Sequence, residues 1–153
     1  IDGKGVVRAV EKLSERFRVE TGLDVFFYHN WSLPDLERDV EVEVIRIVQE
    51  ALVNVRKHSK AKTVRILMYS SEEGRCSILV EDDGIGLPEP LPEPNPATGE
   101  HIGIHIMQER AGKIGGEIQF ESDPDEGGTL MQLDFHAPPI RKLSELVGQR
   151  QGV

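Results

Sequence analysis

The chain has 153 residues, enough for a single domain with a substantial buried core. Its 27 acidic and 18 basic residues give a formal net charge of −9, which argues against non-specific binding to nucleic acid. No apolar run approaches the roughly 20 residues of a membrane-spanning helix. The single Cys76 cannot form an internal disulfide, which favours a reducing compartment. An anionic ligand must therefore be bound locally, by backbone N–H groups, a metal ion or a few basic side chains.

The first part of the chain predicts a helix, a strand and a second, longer helix. Residues 3–21 repeat apolar side chains at helical spacing and are followed by Gly22, a typical C-terminal glycine. Residues 23–28 are rich in aromatic and β-branched side chains and predict a short strand. Ser32 is a suitable start for a long helix that continues to about His58.

A hairpin and an unusual loop are predicted next. Apolar residues alternate at 64–68 and again at 76–80, which indicates two strands joined by a hairpin connection at 70–74. Residues 87–102 contain five of the nine prolines. Proline at every second position excludes regular helix and disfavours a central strand, so this segment predicts an exposed loop.

The remaining pattern completes the fold class. Helical spacing resumes at residues 104–114, and further strands are predicted from residue 118 and at residues 129–135. Strands outnumber helices and at least two pairs are hairpin-linked. This order predicts an α+β two-layer sandwich, with a mixed, mostly antiparallel sheet and the helices on one face. We expect the domain to cover residues 1–136 and a C-terminal tail to follow at residues 137–153.

Polar residues on the long helix form the first candidate site. Glu50, Asn54 and Lys57 fall on the face opposite to the apolar stripe, with His58 at its margin. Glu50 and Asn54 are four residues apart, so their side chains lie one turn apart. A carboxylate and an amide oxygen suit a hydrated Mg²⁺, which takes few protein ligands. A solvated polar face with helix-stabilising pairs explains the same residues equally simply.

A strand-end carboxylate and two glycines form the second candidate. Asp82 continues the inward-facing set of its strand, so its carboxylate points toward the buried side and needs a donor or a counter-charge. Gly84 and Gly86 allow a close approach of the backbone to a ligand, or a positive φ. An ordinary turn after a strand would use the same residues.

Two more glycine segments follow. Residues 99–103 precede a predicted helix start, where free N–H groups and the positive end of the helix dipole suit a phosphate. A mobile loop before a flexible helix start is the alternative. Residues 127–129, Gly-Gly-Thr, are either a simple hairpin loop or a wall of the same pocket.

In combination and order, these segments resemble the gyrase, chaperone, histidine kinase and MutL ATPase superfamily. Residues 49–59 resemble its N box, residues 82–86 its DxGxG box, residues 101–111 its second glycine box and residues 127–129 its closing GGT. The EALxNxxKH and GxxIMxERAxxxGG patterns are most similar to sensor histidine kinases of the nitrate/nitrite-sensor type. The resemblance implies the Bergerat fold, with ATP and Mg²⁺ as cofactors.

The resemblance also implies roles for individual residues. Asn54 would coordinate Mg²⁺, Glu50 would orient a water or assist phosphoryl transfer, and Asp82 would accept the adenine amino group. Thr129 would lie on the adenine side of the pocket. Backbone access to the nucleotide would come from Gly84, Gly86 and Gly103.

The expected contacts to the rest of the nucleotide come from the N box and the second glycine box. The basic candidates for phosphate are Lys57, His101 and Arg110, and the neighbouring His58 and Ile104 complete the nucleotide-binding set.

Two departures from the family pattern are visible. The second glycine box is thin, and the loop in the position of the ATP lid carries acidic residues at 89, 93 and 100 in place of cations. We therefore expect weak ATP affinity in isolation.

As a function, the resemblance implies the catalytic domain of a sensor histidine kinase. It would bind Mg·ATP and donate the γ-phosphate to a histidine on a separate dimerisation domain, for onward transfer to a DNA-binding response regulator. The expected location is the cytoplasmic part of a membrane-anchored, dimeric parent, with no nucleic-acid partner. In the family the acceptor histidine precedes an acidic residue, and no histidine here does. The isolated chain is therefore not expected to phosphorylate itself.

Other functions stay open. One is a serine kinase or anti-sigma factor on the same fold, and another is a degenerate domain that serves as an interaction scaffold. The absence of GxxxxGK[ST] from the sequence excludes a P-loop ATPase.

Overall fold

The structure, a computed structural model, describes residues 5–88, 93–95, 97, 102–123 and 125–137, with the backbone alone at 58 and 59. Over these residues the chain forms three α-helices, one π-helical turn and five strands. In chain order they are α1 (Val6–Thr21), β1 (Asp24–Asn30), α2 (Arg38–Asn54), the π-helical turn (Val55–Ser59), β2 (Thr63–Ser70), β3 (Arg75–Asp82), α3 (Ile102–Lys113), β4 (Glu117–Asp123) and β5 (Gly127–His136).

The five strands form one mixed sheet in the order β1-β2-β3-β5-β4. β1 runs parallel to β2, and the other neighbouring pairs are antiparallel. The parallel pair follows from its connection, because α2 lies between β1 and β2 in the chain and returns it to the same end of the sheet. The β2–β3 pair is the predicted hairpin, with Gly74 N–H donating to the Ser71 carbonyl. The predicted fold class is confirmed.

The core lies between the sheet and the three helices. Strand alternation buries one face of the central strands, through Val64, Ile66, Met68, Cys76, Ile78 and Val80. The amphipathic stripes of α1, α2 and α3 cover this face and bury their own apolar side chains against it. Each fully buried Val or Ile side chain contributes about 1.5–3 kcal/mol, so this layer accounts for most of the stabilisation. None of the helices within the described residues combines the length and apolar composition needed to cross a bilayer.

The start of α2 differs from the prediction. It lies at Arg38, and not near Ser32. Pro34 disfavours helical dihedrals in the residue before it, and that residue, Leu33, is instead buried in the core. The Ser32 N–H donates to Ser70 Oγ at 2.8 Å, which ties this connection to the end of β2. The predicted helix start is therefore wrong by about two turns.

The C-terminal end of α2 changes its hydrogen-bond pattern directly after Asn54. The following turn is π-helical, and Lys60 ends it with a φ of 55°. π-helical turns are rare and are frequent at functional sites. The helical run ends close to the predicted position, and Asn54 lies at its junction.

The last described residues bear on the expected domain boundary. β5 ends at His136, and the Ala137 N–H donates to the Gly74 carbonyl at 2.7 Å. Residues 138–153 lie outside the described part of the chain. The division into a domain at 1–136 and a tail at 137–153 stays a prediction.

Candidate functional site

A cavity of about 250 Å³ lies between the helices and the inward face of the sheet. Its volume is near the lower end of the range for small-molecule sites, about 300–1,000 Å³. Most of its walls are apolar, with polar groups at Asn54, Asp82 and Thr129. The other lining residues are Ala51, Val55, Val80, Ile85, Gly86, Leu87, Pro88, Ile104, Met107, Phe120 and Met131. An apolar group with a few polar edges fits such a lining.

Asp82 is the carboxylate on the cavity wall. It is the last residue of β3, its side chain faces inward, and it is 7% exposed. Its carboxylate accepts the Gly84 N–H at 2.8 Å. Burial raises the pKa of Asp82, and the backbone N–H groups of Gly84 and Thr129 partly offset that rise. A buried acceptor of this kind suits a ligand that presents an N–H donor.

The neighbouring Asp83 faces away from the cavity and has the opposite environment. It is exposed, and its Oδ1 accepts the backbone N–H groups of Thr63 at 2.9 Å and Lys62 at 2.8 Å. These bonds, led by the one from Thr63, lower the pKa of Asp83. Asp83 thus attaches the loop after β3 to the start of β2 and holds Asp82 at the cavity wall.

Glycines allow two loops to meet beside Asp82. The Gly128 N–H donates to the Gly84 carbonyl at 2.6 Å. Gly128 has a φ of 81°, and a Cβ there would lie 2.9 Å from the Asp82 carbonyl oxygen. A side chain at this position would therefore separate the loops, and this explains the Gly-Gly pair without reference to a ligand.

Glu50 and Asn54 meet the start of α3. Asn54 lines the cavity, and Glu50 is half-buried one turn earlier on α2. Gly103 lies in the first turn of α3, and a Cβ there would overlap Glu50 Oε1 and lie 3.1 Å from Asn54 Oδ1. The polar face of α2 thus packs against the second glycine segment, and this proximity disfavours the interpretation as a purely solvated face.

The remaining predicted residues fall in three groups. Ile104 lines the cavity, whereas Lys57 is exposed in the π-helical turn. Arg110 does not line the cavity, and its Nη1 donates to Glu43 Oε1 of α2 at 2.7 Å. The His58 side chain and the whole of His101 lie outside the described residues.

The position of this acidic, proline-rich loop as the ATP lid also stays a prediction. Glu93 is exposed, and Gly99, Glu89 and Glu100 lie outside the described part of the chain.

Apart from Ile104, the sequence does not identify the apolar walls as part of a site. Met107, Phe120 and Met131 line the cavity from three different elements. The signal was present, because Met131 continues the inward alternation of its strand and Met107 lies on the buried stripe of α3. The sequence pattern distinguishes buried from exposed residues, but it does not distinguish a core position from a cavity wall.

The donor set fits a magnesium ion that is held mainly by a ligand. Among the described residues, no group of three or more His, Cys, Asp or Glu side chains could hold a metal. Mg²⁺ usually retains water and is bound through one or two protein ligands together with substrate phosphates. The Asn54 amide oxygen and the Glu50 carboxylate, both beside Gly103, provide that number.

Residues 39–139 match the family of histidine kinase-, DNA gyrase B- and HSP90-like ATPases. The match covers more than half of the chain and includes every segment that borders the cavity. The chain belongs to this ATPase family. The family predicted from the sequence is thereby confirmed.

Curated relatives of this ATPase domain are sensor kinases. The nitrate/nitrite sensor protein NarQ of Escherichia coli is 36% identical over 107 residues, which are 69% of this chain and 18% of NarQ. The sensor histidine kinase LiaS of Bacillus subtilis is 30% identical over 140 residues, which are 90% of this chain and 35% of LiaS. The resemblance to the nitrate/nitrite-sensor type is confirmed. The chain spans about a fifth to a third of these relatives.

Solved structures support the fold. Full-length ShkA in complex with AMPPNP superposes with a TM-score of 0.73 at 19% identity, over 93% of this chain and 31% of that one. The histidine kinase domain of the Erythrobacter litoralis EL346 blue-light activated kinase gives a TM-score of 0.71 at 17% identity, over 86% of this chain and 61% of that one. The sheet and the three helices of this chain thus have the arrangement found in histidine kinase catalytic domains.

Proposed function

We propose that this chain is the ATP-binding catalytic domain of a sensor histidine kinase. The observation that carries the proposal is the meeting of Asn54, Asp82, Gly86 and Thr129 at one apolar cavity. These residues come from three separate parts of the chain and from three boxes of the ATPase family: Asn54 from the N box, Asp82 and Gly86 from the DxGxG box, and Thr129 from the closing GGT. The similarity to NarQ and LiaS favours a histidine kinase over other members of the family.

In this proposal the cavity binds the adenine. The buried Asp82 carboxylate accepts the adenine amino group, and the apolar walls, with Met107, Phe120 and Met131, contact the ring faces. Thr129 adds a hydroxyl on the same side. The pocket binds a neutral base, so the net negative charge of the chain does not oppose this part of the ligand.

The phosphates would lie toward Asn54 and the start of α3. Asn54, with the Glu50 carboxylate beside it, would hold Mg²⁺, which neutralises phosphate charge when bound, and Glu50 would also orient a water or assist phosphoryl transfer. Gly84, Gly86 and Gly103 keep side chains away from the nucleotide. Lys57 follows Asn54 by three residues, and with His58 and His101 it stays a candidate phosphate ligand.

Arg110 is proposed as a phosphate ligand only on one condition. Its guanidinium is bound to Glu43, and the Arg110 and Glu43 side chains are 25% and 17% exposed. This pair would therefore have to separate before Arg110 could contact a phosphate. Removing one partner of a largely buried pair is costly. In the structure, this pair is therefore a link between α2 and α3.

The partners follow from the proposed chemistry. The γ-phosphate would pass to a histidine on the parent's dimerisation domain and then to a DNA-binding response regulator. The parent would be a membrane-anchored dimer with this domain in the cytoplasm. Phosphoryl transfer of this kind requires chiefly positioning and charge neutralisation.

Calorimetric titration with Mg·ADP tests the proposal. The chain should bind, and Asp82→Asn and Asn54→Ala should each weaken binding by about tenfold or more, since a hydrogen bond to a charged group contributes about 1.5–3 kcal/mol. Asp24→Asn, the same substitution at an exposed position of β1, is the matched control and should bind as the unmodified chain does. No binding by the unmodified chain would instead support an interaction scaffold.

A further inference from the structure

One hydroxyl connects two loops beside the cavity. Ser122 Oγ donates to the Gly128 carbonyl at 2.6 Å and accepts the Leu87 N–H at 3.0 Å. Leu87 lines the cavity and begins the proline-rich segment, and Gly128 immediately precedes Thr129 on the cavity wall. A serine hydroxyl can donate one hydrogen bond and accept others at the same time, so both contacts use it fully.

The strand pairing explains why Ser122 is available for this role. In the β4–β5 pair, Glu121 is opposite Leu130 and Asp123 is opposite Gly127, so the register shifts between them. Gly128 and Thr129 are therefore both placed opposite Ser122, which is a β-bulge. A bulge with a positive-φ glycine, here Gly128 at 81°, re-aims side chains and interrupts ladder pairing.

Gly86 shows how closely the loop after β3 approaches this serine. A Cβ on Gly86 would overlap Ser122 Oγ and would lie 3.1 Å from the Gly128 carbonyl oxygen. Gly86 also has a φ of 84°, which other residues rarely adopt. The last glycine of the DxGxG box is therefore required by Ser122 and Gly128 even without a nucleotide.

We propose that Ser122 is a positioning residue for nucleotide binding. It fixes the first residue of the proline-rich segment, Leu87, against the turn at Gly128, and thereby places the cavity wall formed by Gly86, Leu87 and Thr129. This proposal rests on the proposed function of the cavity. Without the hydroxyl, Leu87 N–H and the Gly128 carbonyl lose a partner, and nucleotide binding must order the two loops.

Two measurements on three variants test this role. Ser122→Ala should raise the hydrogen-exchange rate of the Leu87 amide in the ligand-free chain about tenfold and weaken Mg·ADP binding by a similar factor, as expected for the loss of a hydrogen bond. Ser122→Thr retains the hydroxyl and should restore both values. Ser77→Ala is the matched control, because Ser77 Oγ bonds Asp134 Oδ1 at 2.5 Å on β3 and β5 and does not line the cavity. It should change neither value.

The outcomes separate this role from the proposed function. Equal Mg·ADP affinity of Ser122→Ala and the unmodified chain overturns the positioning role, whatever the exchange rate. If the unmodified chain does not bind Mg·ADP, the proposed function fails, and the Leu87 exchange rate alone decides whether Ser122 holds the loop. If Ser122→Ala does not fold, Ser122→Cys, with its weaker donor, replaces it, and unchanged values then overturn the role.

Discussion

At the scale of single residues, the adjacent Asp82 and Asp83 at the end of β3 have different roles. Desolvation raises the pKa of the inward Asp82, whereas backbone N–H groups of Thr63 and Lys62 lower the pKa of the outward Asp83. A pair of acids with opposite shifts indicates different tasks for the two groups. Asp83 holds the loop, and Asp82 presents an acceptor to the cavity.

Nucleotide binding should decrease on acidification through protonation of Asp82. Because its pKa is raised, the carboxylate takes up a proton at a higher pH than an ordinary aspartate does, and the neutral acid is a poorer acceptor. Mg·ADP titrations from neutral pH into the acidic range should therefore show weakening that begins above the usual aspartate pKa. The Asp82→Asn variant should lack this component, although both proteins share any titration of the nucleotide itself.

As the pH falls, nucleotide binding should be lost at a higher pH than the fold. A raised folded-state pKa means that the contribution of Asp82 to stability is largest at low pH and is lost as the pH rises through that pKa. Asp83 has the opposite sign, since its contribution is present at neutral pH and is lost as the pH falls through its lowered pKa. Circular dichroism across the same range checks the order, and unfolding that coincides with the loss of binding would contradict it.

At the scale of elements, the contact of α2 with α3 places the polar pair of the site. Gly103 gives α3 the space to begin against Glu50 and Asn54, and the Arg110–Glu43 pair joins the same two helices. The π-helical turn after Asn54 ends α2 at this contact. The relative position of the two helices therefore sets the proposed Mg²⁺ ligands.

Gly103→Ala should separate binding from stability. The added methyl group meets the flexible end of Glu50, so the fold should survive, and replacing a helical glycine favours the helix by up to about 1 kcal/mol. Mg·ADP affinity should nevertheless decrease about tenfold, because Glu50 and Asn54 must shift.

Gly112→Ala is the matched control for this change. It lies in the same helix with nothing within 4 Å of its added Cβ, so it should stabilise the chain without changing affinity. Thermal unfolding and calorimetry on both variants make the comparison. Equal affinities for the two variants would show that the contact at Gly103 does not position the ligands.

Periodic and local signals were enough to predict the elements and part of the site. The inward direction of Asp82 follows from strand alternation, and the pairing of Glu50 with Asn54 follows from helical spacing. Pro34 is a local signal against a helix start at Ser32, and the bond from Ser32 to Ser70 adds a distant contact there. The bulge at Ser122 and the Arg110–Glu43 pair instead depend on contacts between distant parts of the chain. No local pattern contains that information, and the bulge in addition interrupts the alternation on which strand arguments depend.

At the scale of the whole molecule, the net charge of −9 is compatible with an apolar cavity because, apart from Asp82, the acidic residues of the described part of the chain lie outside the cavity lining. Glu81, Glu121 and Asp123 border a cleft on the outward side of the sheet with Arg65, whereas the inward cavity has one carboxylate among mostly apolar walls. The acidic cleft therefore opposes the approach of anions, whereas an uncharged group inside the cavity meets mostly apolar walls.

The proposed separation of nucleotide site and phosphate acceptor gives a prediction for this chain. None of His29, His58, His101, His105 or His136 is followed by an acidic residue, so the resemblance to sensor kinases assigns the acceptor to another part of the parent. Incubation with Mg²⁺ and γ-labelled ATP should leave the chain unlabelled, although Mg·ADP binds. Asn54→Ala, at an ATP concentration too low for its weakened affinity, serves as the background, because it should bind little nucleotide and transfer no phosphate. Label on the unmodified chain that is stable in alkali, lost in acid and absent from Asn54→Ala would mean that one of these histidines accepts phosphate, and that the catalytic and acceptor functions are not divided between domains.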